Sequence, residues 1–128
     1  MKLFKLFIAV LFITFTTQGV AQSSNIKTIT FKVDGVCGMC KDRIESTLDI
    51  KGVKFVEWNV NSHVCEVIFR TDKITEKEIH QALADVGHDT EKIKASEKAY
   101  AQIHGCCKYR SEETQKAHEK ELDDHKHE

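Results

Sequence analysis

The chain has 128 residues, with 19 Lys and Arg against 20 Asp and Glu, for a formal charge of −1. No basic excess offers a nucleic-acid backbone a docking surface, and the absence of proline excludes a proline-rich linker. Five cysteines, an odd number, do not make a fully paired disulfide framework.

The first 21 residues predict a secretory signal. Lys2 and Lys5 form a basic head, residues 6–15 an uncharged apolar run, and Gly19-Val20-Ala21 a small-residue cleavage site. The run is half the ~20 residues of a membrane span, so a cleaved signal is favoured over an uncleaved anchor. No cysteine near Ala21 suggests a lipid anchor. Residues 22–25 read as a short linker, and the remainder as a secreted, periplasmic protein with no membrane attachment. Removing Lys2 and Lys5 leaves 17 basic residues against 20 acidic ones.

The segment "TITFKV" alternates, with Ile29, Phe31 and Val33 on one face, and predicts a half-buried strand ending at Asp34-Gly35. After the loop "GVCGMC", Ile44 and Leu48 give a short amphipathic helix ended by Gly52. Val56, Trp58 and Val60 share a face of a second strand. Asn61-Ser62-His63 turns the chain into a third, with Cys65, Val67 and Phe69 inward, completing a hairpin. Thr75 and Glu78 form a capping box flanked by Ile74 and Ile79. The helix they open carries Ile79, Ala82, Leu83 and Val86 on its apolar stripe and stops at Gly87. "HDTEKIK" predicts one short closing strand. The order βαββαβ predicts an α+β, ferredoxin-like split βαβ fold over residues 26–94, four antiparallel strands covered on one face by two helices.

Cys37 and Cys40, between the first strand and first helix, carry the chemistry. C-x-x-C fits a disulfide, a redox couple or a pair of metal-binding thiolates. The unpaired N–H groups of a helix start favour thiolates, and soft thiolates select Cu(I) and Hg(II), less sharply Zn(II). Two ligands near the surface leave an ion open to a partner's cysteines, which suits transfer. Lys41 and Arg43 are placed to soften the negative charge of such a complex. A disulfide closing so short a loop gains little, and a thioredoxin-like redox site belongs to a larger fold. Cys65, facing the core, reads as a buried inert thiol.

With topology and loop together, residues 26–94 resemble the heavy-metal-associated domain family, which includes copper chaperones, metal-binding modules of copper-pumping ATPases and periplasmic mercury-binding proteins. One departure is local. The family's loop runs glycine, methionine, a small polar residue, then cysteine, whereas here Gly35 and Val36 lead directly to Cys37 and Met39 lies between the cysteines. The resemblance implies that the loop holding His88 approaches the cysteine pair, so His88 is a candidate third ligand or hydrogen-bond partner, against the alternative of a loop histidine in water.

Residues 95–128 form a Cys/His-containing tail outside that domain. Ser96 caps a helix expected over 96–104 with Ala99, Tyr100 and Ile103 on one side, and Ser111 opens another whose low apolar content predicts a solvated end. His104, Cys106, Cys107, His118, His125 and His127 make a compositional metal signal. Cys106 and Cys107 are candidates for sharing the Cys37/Cys40 site or for holding a second ion; the alternatives are exposed thiols or a vicinal disulfide. No acid–base pair or activated nucleophile stands out. The reading is therefore a non-enzymatic Cu(I) carrier or scavenger, exchanging its ion with a metal-donating or metal-accepting protein such as a transporter. The alternatives are periplasmic mercury capture and a thiol–disulfide module.

Overall fold

Strand β1 (Ile26–Lys32), helix α1 (Gly38–Thr47), strands β2 (Val53–Trp58) and β3 (Val64–Arg70) and helix α2 (Glu76–Asp85) follow in the expected order. The computed structural model describes residues 24–124 and 126; the expected signal sequence, His125 and His127 lie outside them. Strand β3 is central in an antiparallel sheet ordered β1-β3-β2. Its alternation buries Cys65, Val67 and Phe69. Cys65 is paired with Phe31 on one side and Trp58 on the other, all three closed to solvent on the inner face. Burial pushes the Cys65 thiol up to about 12, as expected of an inert core cysteine. Alkylation of the native protein should therefore spare Cys65 until denaturant is added. Labelling of Cys65 as fast as half-buried Cys37 would mean a slipped register.

The expected fourth strand is reduced to a single bridge, Val33 opposite Thr90. Asp34 N–H donates to Asp89 C=O at 2.8 Å and Glu91 N–H to Lys32 C=O at 3.1 Å, so pairing begins. Thr90 then ends it. Its Oγ1 accepts from Ile93 N–H (3.0 Å) and Lys92 N–H (3.3 Å), and its own N–H donates to Ile93 C=O, curling the chain off the sheet edge.

Both helices cover one face of the sheet. The α2 capping box is complete, with Thr75 Oγ1 accepting from Glu78 N–H at 3.2 Å and Glu78 Oε2 from Thr75 N–H at 2.8 Å. Helix α1 has no side-chain cap at Cys37 and ends at Thr47, ahead of Gly52, which takes a positive φ in the turn into β2. It is held by buried Ile44 and Leu48 and by Glu45 Oε1, which accepts from Trp58 N–H (3.0 Å) and Lys41 Nζ (2.5 Å). Lys41 also donates to the Trp58 carbonyl at 2.8 Å, so its charge is spent on the β2 end rather than beside the sulfurs, against the sequence expectation.

The tail adds to this core. Ser96 Oγ accepts from Ala99 N–H (3.1 Å) and caps helix α3 (Glu97–Ala101), shorter than expected. A 3₁₀ turn, Gly105–Cys107, and helix α4 (Glu112–Asp124) follow. Ile103, Cys107 and Tyr109 are buried in the core cluster, while α4 is largely solvated as its composition predicts.

Candidate metal centre

The path from β1 to α1 sets the site. Gly35 is required by close approach, since a Cβ there would lie 3.0 Å from Cys40 Cβ and from two Trp58 ring atoms. Trp58 is in turn fixed by its indole N–H donating to Val33 C=O at 3.0 Å. Cys37 is the N-cap residue of α1 and Cys40 lies in its first turn, with the sulfurs 3.5 Å apart. The loop is less exposed than expected of an open site: Cys37 is half-buried and Cys40 fully buried. Val36 N–H points at Cys40 Sγ from 3.5 Å.

The tail reaches the same place. Cys37 Sγ lies 3.4 Å from Cys107 Sγ and 3.8 Å from Cys106 Sγ. The sulfurs of Cys37, Cys40 and Cys107 all fall within 4.8 Å of one another. Cys106 occupies the rim, its sulfur 3.4 Å from Met39 Sδ. Burial alone would raise the Cys37 thiol, but hydrogen bonds from Cys40 N–H and the neighbouring thiols outweigh it and hold Cys37 below the ordinary range. Burial raises Cys40, more than offsetting help from Val36 N–H. Cys107 is pushed up strongly, by burial first and by competition with Cys40 and Cys37 second. Of Cys37, Cys40 and Cys107, Cys37 is therefore the most readily ionised.

What brings Cys107 there is a set of anchors with no spacing signature. Tyr109 O–H donates to Gly87 C=O (2.6 Å) and accepts from Asp89 N–H (2.9 Å). Arg110 grips the Asp89 carboxylate with two nitrogens, at 2.7 and 3.1 Å, and stacks on Tyr100 at 4.3 Å. Lys108 Nζ donates to the Tyr100 and Ala101 carbonyls at the end of α3 (2.7 and 2.9 Å). The anchors lie in "CCKYR", where the sequence pattern gives a role to the cysteines and none to Lys108, Tyr109 or Arg110.

Among the described residues, the candidate histidines His88, His104 and His118 do not join the sulfurs. His88 is neither a loop histidine in water nor a member of the cluster. It is fully buried, Nδ1 donating to Asp34 C=O (2.8 Å), its ring stacked on Tyr109 at 5.8 Å. The Gly87 turn, at φ 101°, folds it beneath the tail. His104 is exposed, its carbonyl accepting from Cys107 N–H at 2.9 Å. His118 Nε2 donates to the Cys106 carbonyl at 3.4 Å, behind the sulfurs.

His80 and His88 are both buried with no hydrogen bond at Nε2, that of His80 lying 3.9 Å from Glu76 Oε1, and burial holds both below the ordinary 6.5. At His80, Lys92 adds to that lowering while Glu76 and Glu91 oppose it. At His88, Arg43 adds to it, and the Asp34 carbonyl and Asp89 oppose it. The unfolded chain takes up these protons as pH falls through 6.5, the folded chain only lower, so stability is full above 6.5 and falls below it. The urea midpoint should drop between pH 7.5 and 5.5. Asp34, raised by burial, opposes the trend only nearer its ordinary 3.8. An unchanged or higher midpoint at pH 5.5 would contradict buried neutral histidines.

The family description "Heavy-metal-associated domain" matches residues 30–89. A solved structure of a copper-ion-binding protein assigned as such in Bacillus anthracis str. Ames is 30% identical, aligned over 54% of this chain and 100% of that one, with a TM-score of 0.51. The chain belongs to the heavy-metal-associated domain family. The CopZ metallochaperone is 29% identical over 50% of this chain and 98% of that one, TM-score 0.48. Oxidized MerP from Ralstonia metallidurans CH34 is 24% identical over 52% and 94%, TM-score 0.49. No curated protein matched. The heavy-metal-associated domain fold and the sulfur cluster mark a heavy-metal-binding protein, and the tail from Ala95 onward lies beyond the matched residues.

Proposed function

We propose that the protein is an exported Cu(I) carrier or scavenger that binds its ion through Cys37 and Cys40 and passes it on by thiolate exchange. The observation that supports this most directly is the pair of sulfurs 3.5 Å apart at the start of α1, with the Cys37 thiol held below the ordinary range by the hydrogen bonds it accepts. Soft sulfur donors with no oxygen ligand among them favour Cu(I) and Hg(II) over harder ions. Each binding thiol releases its proton to water. In transfer, a partner's thiolate forms a bond to the ion, a local metal–sulfur bond breaks, and no electron changes hands. Export rests on the pattern of residues 1–21.

The test is metal content and Cu(I) affinity. Protein purified without oxygen from the exported fraction should begin near Gln22, carry copper, and hold Cu(I) against a competing chelator. Recovery with mercury alone would make it a mercury-capture protein. Catalytic reduction of insulin disulfides with no tight metal binding would make it a thiol–disulfide module.

A further inference from the structure

Two cysteines suffice for the site just proposed, yet a third buried thiol is packed against them. We propose that Cys107 is the third ligand of that site, so that the tail closes over the ion. This rests on the soft-metal reading of Cys37 and Cys40.

The sulfur triangle carries the inference. Its sides are 3.5 Å (Cys37–Cys40), 3.4 Å (Cys37–Cys107) and at most 4.8 Å. Metal–sulfur bonds of about 2.3 Å put trigonal sulfurs about 4 Å apart and linear ones about 4.6 Å apart. The observed triangle is thus near trigonal size, whereas a linear ion between Cys37 and Cys40 alone would have to spread that pair by about 1 Å. Cys107 is also well positioned. It is fully buried, with Ile103 packed in the core on one side and the Tyr109 and Arg110 anchors on the other. Cys65 shows the contrast of a buried cysteine used only as packing, between Phe31 and Trp58.

Cys106 is not the third ligand. Its sulfur is 3.8 Å from Cys37, half-buried, and turned to Met39 at 3.4 Å. The Cys106 and Cys107 sulfurs are themselves 3.9 Å apart, but Cys107 is fully buried in the triangle while Cys106 stays half-buried on its rim. A partner must then displace Cys107 from an ion already held by three sulfurs. Its thiolate bonds to the metal as the Cys107–metal bond breaks, and Cys107 takes a proton from water. The firmness of tail docking sets how readily metal leaves.

X-ray absorption of the full-length protein loaded with one equivalent of Cu(I) counts the sulfurs. Three are expected in the native protein and in Cys106→Ser. Two are expected in Cys107→Ser, with Cu(I) binding weaker by roughly 10²-fold through loss of a tethered ligand. Two sulfurs in the native protein would overturn the third-ligand assignment and leave the carrier reading standing. No sulfur-bound copper in the native protein would overturn both. Should Cys107→Ser fail to fold, the other two proteins decide: three sulfurs in each supports Cys107, and a fall to two in Cys106→Ser overturns it in favour of Cys106.

Discussion

Cys37→Ser should weaken Cu(I) binding by more than about 10²-fold, beyond what loss of a ligand's supporting partner costs, while the fold persists. Cys37 is the hub of the cluster, the residue within 3.8 Å of the other three cysteine sulfurs there. Without it, Cys40 and Cys107 face each other across a gap of up to 4.8 Å. The fold should persist because Cys37 is half-buried and stands at the N-cap of α1 without a capping bond, where serine is a preferred residue. Adding Cys40→Ser should abolish tight binding, at a cost in stability that an exposed loop would not have imposed: Cys40 is sealed beneath Gly35 and Trp58, and serine puts a hydroxyl there. Chelator competition and circular dichroism on both variants make the check. Native-like affinity in Cys37→Ser would remove this cysteine from the site.

The largest effect away from the sulfurs should come from Gly87→Ala. Gly87 has φ 101°, and a Cβ there would lie 2.5 Å from Ile103 Cγ2 and 2.8 Å from the Ala99 carbonyl oxygen. Backbone strain and overpacking together cost about 2–6 kcal/mol, a large part of the ~5–15 kcal/mol by which domains are stable. The strain falls where α3 and Ile103 meet the end of α2, so the tail should lift and carry Cys107 away from Cys37. A lower melting temperature and rapid alkylation of Cys107 in the metal-free variant are the expected readings. Native melting with Cys107 still protected would show that the tail is not seated on Gly87.

The hairpin, α2 and the Cys37/Cys40 loop were legible because local rules agree with tertiary ones there. Cys65, Val67 and Phe69 alternate and are buried as they alternate, and Thr75 and Glu78 announce a helix start that packing then keeps. The closing strand was not legible, because Thr90 hydrogen-bonds its own neighbours instead of the sheet, a competition that apolar alternation does not register. His88 read as a ligand candidate or a loop histidine in water, and not as a core residue, because its burial depends on Tyr109, 21 positions further on. The gathering of Cys107 with Cys37 depends on the Tyr109 hydroxyl and Arg110 guanidinium reaching back to Gly87 and Asp89, 22 and 21 positions earlier, and no periodicity links them.

Cys37 and Cys107 stand 70 residues apart in the chain and 3.4 Å apart in space. An ion bonded to both would therefore act as a reversible cross-link tying the first loop of the domain to its tail. Because the link forms only where the fold brings the two sulfurs together, the ion stabilises the folded chain by mass action, by about 2.7 kcal/mol when free metal is ~100 times its dissociation constant. The metal-loaded protein would then resist unfolding and proteolysis where the metal-free protein does not. Abundance of the protein would rise with metal supply and decay with its loss, without any change in its synthesis.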